Sequence, residues 1–291
     1  MFLGLDLGTT NVKALVVDRA GASVAQASHP VQLFQLDDGG VEQDIEEIFR
    51  ATVSVLRQVA QAIDPADVVA IGVSSQGGAM QVLDAEHRPL GRVISWLDQR
   101  GRRFDHALLE QLGRTWFLQH ISRGCSGLSI GQLLRLQDEQ PGLLAPPHRV
   151  GFVGDVIVGR LCGRAAHDCT SLGLTLLLNP GLRTYDPDLL RHLRLERSQF
   201  PDLIAPREAS GGLRAEIAAA TGLRAGTPVS AAIHDQYASA LGSGTVRTGS
   251  VMVGTGTAWV LLAVNDRLAA PVIDEAFVCH HVVEGLCGQI L

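Results

Sequence analysis

The stretch FLGLDLGTTNVKALVV, residues 2–17, constrains the chain more than any other. Two short apolar segments read as strands, and the polar turn between them carries one carboxylate, one glycine and three small hydrogen-bonding side chains: Asp6, Gly8, Thr9, Thr10 and Asn11. Gly8 lets backbone come close to an anion, successive turn N–H groups form an anion-binding nest, and threonine hydroxyls donate to phosphate oxygens. Asp6, near the end of a buried strand, is placed to hold a hydrated Mg²⁺. Ordinary hairpins use the same residue types, so the turn suggests a chemistry that the rest of the chain must support.

Composition narrows the choice by exclusion. At 291 residues the chain suits one large or two medium domains. With 46% hydrophobic and 19% charged residues and no apolar run near the ~20 residues a membrane span needs, it reads as a soluble globular protein without a membrane partner. It opens on a strand, with no basic region and apolar core of a leader, so a cytoplasmic location is expected. A net charge of −6 without any Lys/Arg run argues against a nucleic-acid partner. Five cysteines form no CxxC pair, which supports neither zinc nor a disulfide framework. Lys13 is the only lysine. A Walker A loop, the strand lysine of protein kinases and most Schiff-base chemistry are thereby excluded, because each needs a lysine in a different context.

Beyond the opening hairpin, residues 23–27 alternate as a third strand. Ile45, Ile48, Phe49, Thr52, Val55, Leu56, Val59 and Ile63 then recur at helical spacing until Asp64-Pro65. Residues 68–74 form an apolar run of the kind covered on both faces in a central strand. It leads into the flexible turn Gln76-Gly77-Gly78-Ala79. Val93-Ile94-Ser95-Trp96 ends in Leu97-Asp98-Gln99-Arg100, polar groups at a strand end. These could line a ligand crevice, or Asp98 and Arg100 could make a surface ion pair or helix cap. Asp168 reads as a helix N-cap. Residues 229–233 are a buried strand ending in His234-Asp235-Gln236 before a small-residue helix, and a carboxylate at such a tip is costly unless it has work or a partner. The helix N-terminus should favour the ionised carboxylate, and strand alternation should turn His234 and Gln236 elsewhere. Residues 249–264 repeat strand, Gly/Thr turn and strand around Gly254-Thr255-Gly256-Thr257; a hairpin of this kind is expected to be poorly covered on its own.

Two such units with a strand-tip Asp between them resemble the actin-like, hexokinase-like and sugar-kinase ATPases. Within that superfamily the chain resembles the FGGY carbohydrate kinases nearly end to end, through Asp6 to Thr10 with Lys13, Val41-Glu42-Gln43-Asp44, Gly72 to Gln76, Ser95 to Asp98 with Arg100, Asp168 to Ser171, and His234-Asp235-Gln236 followed by Gly254 to Thr257. The resemblance implies an α/β fold: an actin-like ATPase (ribonuclease H-like) lobe with a mixed sheet and flanking helices, spanning 1–241, and a truncated second lobe begun at 242–291. It implies ATP and Mg²⁺ as cofactors and a small sugar or polyol as substrate, with xylulose kinases as the nearest subgroup, and it leaves a homodimer open. Asp235 would be the general base. Gly8, Thr9, Thr10, Asn11, Lys13, Gly254, Thr255, Gly256 and Thr257 would hold the nucleotide. Asp6 and Asp235 would lie at the metal, and Gln76, Gly77, Gly78, Trp96, Asp98, Arg100, Asp235 and Gln236 around the substrate. Xylulose and glycerol kinases carry polar contacts where this chain has Gly77 and Gly78, which implies a pocket open on that side. The alternatives to a kinase are a non-catalytic sugar-binding or regulatory lobe and an ATPase of the Hsp70 or actin kind.

Overall fold

The computed structural model describes residues 1–255 and 259–291. Strand β1, Phe2–Leu7, lies at the middle of the main sheet because its neighbours satisfy both of its edges. On one side β2, Asn11–Val17, pairs with it antiparallel and sets Asp6 opposite Lys13. On the other side β4, Ala70–Ser75, runs parallel to it, after β3, Ser23–Pro30, has extended the sheet beyond β2. The parallel strand β5, Pro228–His234, follows β4, and three short strands complete an eight-stranded mixed sheet.

The period-two pattern fixes the faces. Leu3, Leu5, Leu7, Val12, Ala14 and Val16 are buried under helix α1, Ile45–Gln61, which is capped by Asp44 accepting from the Glu46 N–H. Its buried stripe of Ile48, Thr52, Val55, Leu56 and Val59 is the one its helical spacing predicts. Helix α2, Val153–Cys162, covers β4 and β5, and it comes close through a glycine: a Cβ on Gly154 would lie 2.6 Å from Ala232 Cβ and 2.9 Å from Ser75 Cβ. The expected cap at Asp168 is present, with its carboxylate accepting from the N–H groups of Thr170 and Ser171.

A consequence of this order is that β1, β4 and β5 run parallel and finish together. Their carboxyl ends carry Asp6, Gln76 and, as the first residue of helix α3 (Asp235–Gly242), Asp235. The crevice outside such strand ends is where α/β sheets bind ligands.

The later hairpin is better covered than its sequence suggests. Strands β6, Val251–Thr255, and β7, Trp259–Asn265, are joined by Phe277–His280 and Cys287–Ile290 into a four-stranded antiparallel sheet that buries Leu262, Val264 and Ile290. Two further strands supply the cover that an isolated hairpin lacks. Val251, Val253 and Trp259 on its other face are exposed. Gly256 and Thr257, expected phosphate contacts, lie outside the described residues. Among the described residues no helix is long and apolar enough to cross a membrane.

Because Gly154 lets α2 approach the strands that aim Gln76 and Asp235, Gly154→Ala should cost about 1–3 kcal/mol by overpacking. Gly72→Ala, where a Cβ meets nothing within 4 Å, is the comparison. Urea unfolding measures both, and equal midpoints would contradict the close approach.

Candidate active site

A cavity of about 450 Å³ opens at the shared strand ends. Asp6, Gly8, Thr9, Thr10, Asn11, Lys13, Gln76, Gly77, Trp96, Asp235 and Gln236 line it, so residues far apart in the sequence meet in one place. His234, Leu128, Leu174, Trp259, Val260, Phe277, Ile290 and Leu291 complete its walls.

The opening turn is rigid for identifiable reasons. Gly8 N–H donates to Asn11 O at 3.1 Å, and a Cβ on Gly8 would lie 2.8 Å from that same oxygen, so only glycine closes the turn this tightly. Thr9 belongs to a closed ring of hydrogen bonds. Its hydroxyl donates to Gln76 Oε1 (3.3 Å), Gln76 Nε2 donates to Gln43 Oε1 (2.9 Å), and Gln43 Nε2 donates to Thr9 O (2.9 Å). Trp96 Nε1 donates to the same hydroxyl at 3.0 Å. The Thr9 hydroxyl is thereby committed to protein partners, and Thr10, which is exposed, presents the free edge of the turn. Gln43, wholly buried, holds the ring together. Sequence reasoning assigned it no site role, and the one available signal was a long polar side chain in the lead into α1.

The two carboxylates differ in their surroundings. Asp6 accepts from Ser74 Oγ at 2.8 Å and lies 3.9 Å from Lys13 Nζ; burial raises its pKa above the ordinary carboxylate value despite the Ser74 bond, and the charge of Asp235 adds to the rise. Burial pushes the Asp235 carboxyl up to about 6, against hydrogen bonds from Gln236 and the charge of Lys13. The expected gain from the helix N-terminus is therefore outweighed by desolvation, although Asp235 stays mostly ionised at pH 7.

His234 does not turn elsewhere: its Nε2 lies 3.1 Å from Asp235 Oδ1. Burial lowers its pKa to about 3, so the ring is neutral beside the carboxylate. Gln236 likewise faces the site, with Oε1 3.0 Å from where a Cβ on Gly254 would stand. Thus β6 backs the start of α3, although Gly254 and Thr255 do not line the cavity.

Four other expectations change. Gly77 lines the cavity, but the side it faces is not open: a Cβ there would meet His234 Cδ2 at 2.7 Å and Leu174 Cβ at 2.8 Å. Gly78 does not line it; its φ of +72° serves the turn, with Leu174 O and Leu128 packed over it. Asp98 and Arg100 do not line it either. The fully buried Asp98 carboxylate accepts from Val41 N at 2.9 Å, Gln132 Nε2 at 3.0 Å and Arg100 Nη2 at 2.6 Å, and Arg100 also reaches Glu42 Oε1 at 2.8 Å. Burial opposes the Asp98 charge, yet the Arg100 and Val41 hydrogen bonds outweigh it and hold the carboxyl below its ordinary value. The pair clamps the strand end that presents Trp96.

Among the described residues no cluster of three or more metal-ligating side chains occurs. Two carboxylates in one cavity nevertheless fit a hard divalent cation that takes its remaining oxygens from water and phosphate, the usual habit of Mg²⁺.

The architecture is that of an actin-like ATPase lobe with the beginning of a second. Residues 1–242 match the model of the N-terminal domain of the FGGY family of carbohydrate kinases, and the chain belongs to that family. It is 29% identical over 281 residues to xylulose kinase of Escherichia coli K12, covering 96% of this chain and 58% of that protein. To L-fuculokinase of Salmonella typhi it is 30% identical over 274 residues, covering 91% and 57%. Among solved structures, a xylulose kinase from Brucella ovis superposes with a TM-score of 0.90 at 30% identity and a ligand-bound xylulose kinase from Lactobacillus acidophilus with 0.92 at 22%, each over 99% of this chain and about three fifths (60% and 59%) of the other. The chain thus spans less than two thirds of the length of the relatives it matches.

The raised Asp235 carboxyl has a thermodynamic signature. Between its unfolded value near 3.8 and its folded value of about 6 the native state binds the extra proton, so this group's contribution to stability rises as pH falls from about 7 to 4. Asp235→Asn should be more stable than the parent at pH 7, and the gap should narrow as the pH falls and close only below about pH 4. Thermal melts across that range measure it, and a gap that widens on acidification would mean the helix end, not burial, sets this pKa.

Proposed function

We propose that the protein containing this chain transfers the γ-phosphoryl group of ATP, with Mg²⁺, to a hydroxyl of a small sugar or polyol. The observation that carries this reading is the convergence of Asp6, the Gly8–Asn11 turn and Asp235 on one cavity. Phosphoryl transfer to an alcohol needs positioned phosphates, charge compensation and a base for the hydroxyl proton, and these residue types provide them in that order. In this reading the acceptor oxygen gives its proton to an Asp235 oxygen and bonds phosphorus as the bond to the ADP leaving oxygen breaks. The proton held at Asp235 then returns to solvent.

His234, packed with its Nε2 3.1 Å from Oδ1, would limit how that carboxylate turns. Turn N–H groups and Lys13 would hold the phosphates, and Asp6 would hold the metal, which would supply neutralisation of phosphate charge. Trp96, Gln76 and Gln236 would flank the acceptor. Residues 1–241 would form the lobe that carries base and phosphate turn, and 242–291 would begin the lobe that closes over the nucleotide. The kinships to xylulose kinases and L-fuculokinases support a monosaccharide-sized acceptor. A bare sugar-binding lobe would have no use for an anion-binding turn opposite a base.

The test is steady-state kinetics of the full-length protein. Asp235→Asn should lower kcat by roughly 10²–10⁴-fold, the usual worth of positioned acid–base catalysis, while ATP affinity changes little. Asp6→Asn should instead weaken the response to Mg²⁺ and nucleotide. Near-normal kcat in Asp235→Asn would overturn the assignment.

A further inference from the structure

The tip of β5 is held on its two edges by different means. On one edge β4 pairs with it to the end, Ile233 opposite Ser74 and His234 opposite Ser75. On the other edge its neighbour is the two-residue strand Ala166–His167, which sets His167 against Ala232 and stops there. That edge therefore loses its strand partner just before Asp235, where Ala232 and His234 are both buried and their backbone groups still need partners.

The start of the short helix Cys169–Gly173 takes the place of the missing strand. Asp168 N–H and Ser171 Oγ each donate to Ala232 O at 3.1 Å, and the His234 N–H donates to Thr170 Oγ1 at 3.1 Å. The Thr170 hydroxyl is not free to turn away. It donates to Asp168 Oδ1 at 2.6 Å, the length of a charge-assisted bond, and that same oxygen accepts from the N–H groups of Thr170 and Ser171 at 3.0 Å. With its proton committed to the carboxylate, the hydroxyl offers its lone pairs to the His234 N–H. Thr170 and Asp168 are wholly buried and neither lines the cavity at the strand ends, so their influence on that cavity passes through the tip of β5.

His234 is the joint between strand and helix: its backbone is extended (φ −63°, ψ 134°), and Asp235 is the first residue of α3. A shift of its N–H moves two side chains at once. The Asp235 carboxylate follows along the chain. The imidazole, whose Cδ2 would lie 2.7 Å from a Cβ on Gly77, has its Nε2 3.1 Å from Asp235 Oδ1. Misplacing a reacting group by about 1 Å costs on the order of 10²-fold in rate. Resting on the reading of Asp235 as the base, we propose that Thr170, its hydroxyl oriented by Asp168, is a positioning residue that aims the Asp235 carboxylate at the acceptor through the His234 N–H. It does so by its hydroxyl and not by its bulk, which separates positioning from packing.

The experiment uses the full-length protein with ATP, Mg²⁺ and whichever of a panel of pentuloses, hexuloses and polyols it phosphorylates fastest. Thr170→Val keeps the shape and removes the hydroxyl, whereas Thr170→Ser keeps the hydroxyl and removes a methyl. Per folded molecule, the valine variant should lose about 10–100-fold in kcat with the KM for ATP within about twofold, and the serine variant should stay within about threefold of the parental kcat. Melting temperatures give the folded fraction of each. Hydrogen exchange followed by NMR on the parent should find the His234 amide protected like the interior amides of β4, which tests the bond independently of how well the valine variant folds. Parental kcat in Thr170→Val, a serine variant as slow as the valine variant, a loss confined to the KM for ATP, or a His234 amide that exchanges like an exposed loop would each overturn the proposal. The two readings fail distinguishably. Thr170→Val at parental kcat with Asp235→Asn inactive refutes the positioning alone, whereas a parent that phosphorylates no acceptor, or an active Asp235→Asn, refutes the base itself.

Discussion

Two partly buried carboxylates, Asp6 and Asp235, face one cavity, and each raises the cost of ionising in that place: burial lifts both, and the charge of Asp235 lifts Asp6 further. Such a pair persists in a folded protein when something in its environment or its ligands offsets the charge. Part of the offset is built in, through Ser74, Gln236 and Lys13. Lys13 is itself well exposed and 3.9 Å away, a weak partner, so these groups offset only part of the charge. A neutral His234 suits the proposed role of Asp235, because a protonated ring at 3.1 Å would hold the carboxylate as an ion pair and blunt it as a base.

The scaffold meets this constraint by making positions non-negotiable. Three parallel strands end at one level, α2 presses on two of them through Gly154, and the ring joining Thr9, Gln76 and Gln43 ties the phosphate-type turn to the tip of β4 and the lead into α1. Gly77 has the same logic, since His234 and Leu174 occupy the space where any side chain would go. The space on that side is thus set by packing against the imidazole.

Much of this was legible in the sequence where the signal is local. The stripe of α1, the strand–turn–strand of β1 and β2, the cap at Asp168 and the carboxylate at the tip of β5 follow from periodicity and turn chemistry within a few residues. What stayed hidden depends on distant partners. What Asp98 and Arg100 touch is set by Val41, Glu42 and Gln132, tens of residues away. Gln43 gains its role from Thr9 and Gln76. The Asp235 pKa was misjudged for a different reason. A helix end contributes about 0.3–1 kcal/mol near the surface, and desolvation of a carboxylate at a buried strand tip exceeds that.

The central claim is that Asp235 takes the acceptor proton while Asp6 serves the metal. The most direct measurement is a crystal structure of the full-length protein with ADP, Mg²⁺, an acceptor and aluminium fluoride, the last standing in for the phosphoryl group in flight. One acceptor hydroxyl should lie about 2.6–3.2 Å from an Asp235 carboxylate oxygen and in line with the fluoride, with Asp6 at the metal directly or through its water. An acceptor whose reacting oxygen sits beyond hydrogen-bond reach of Asp235, with another side chain in its place, would contradict it.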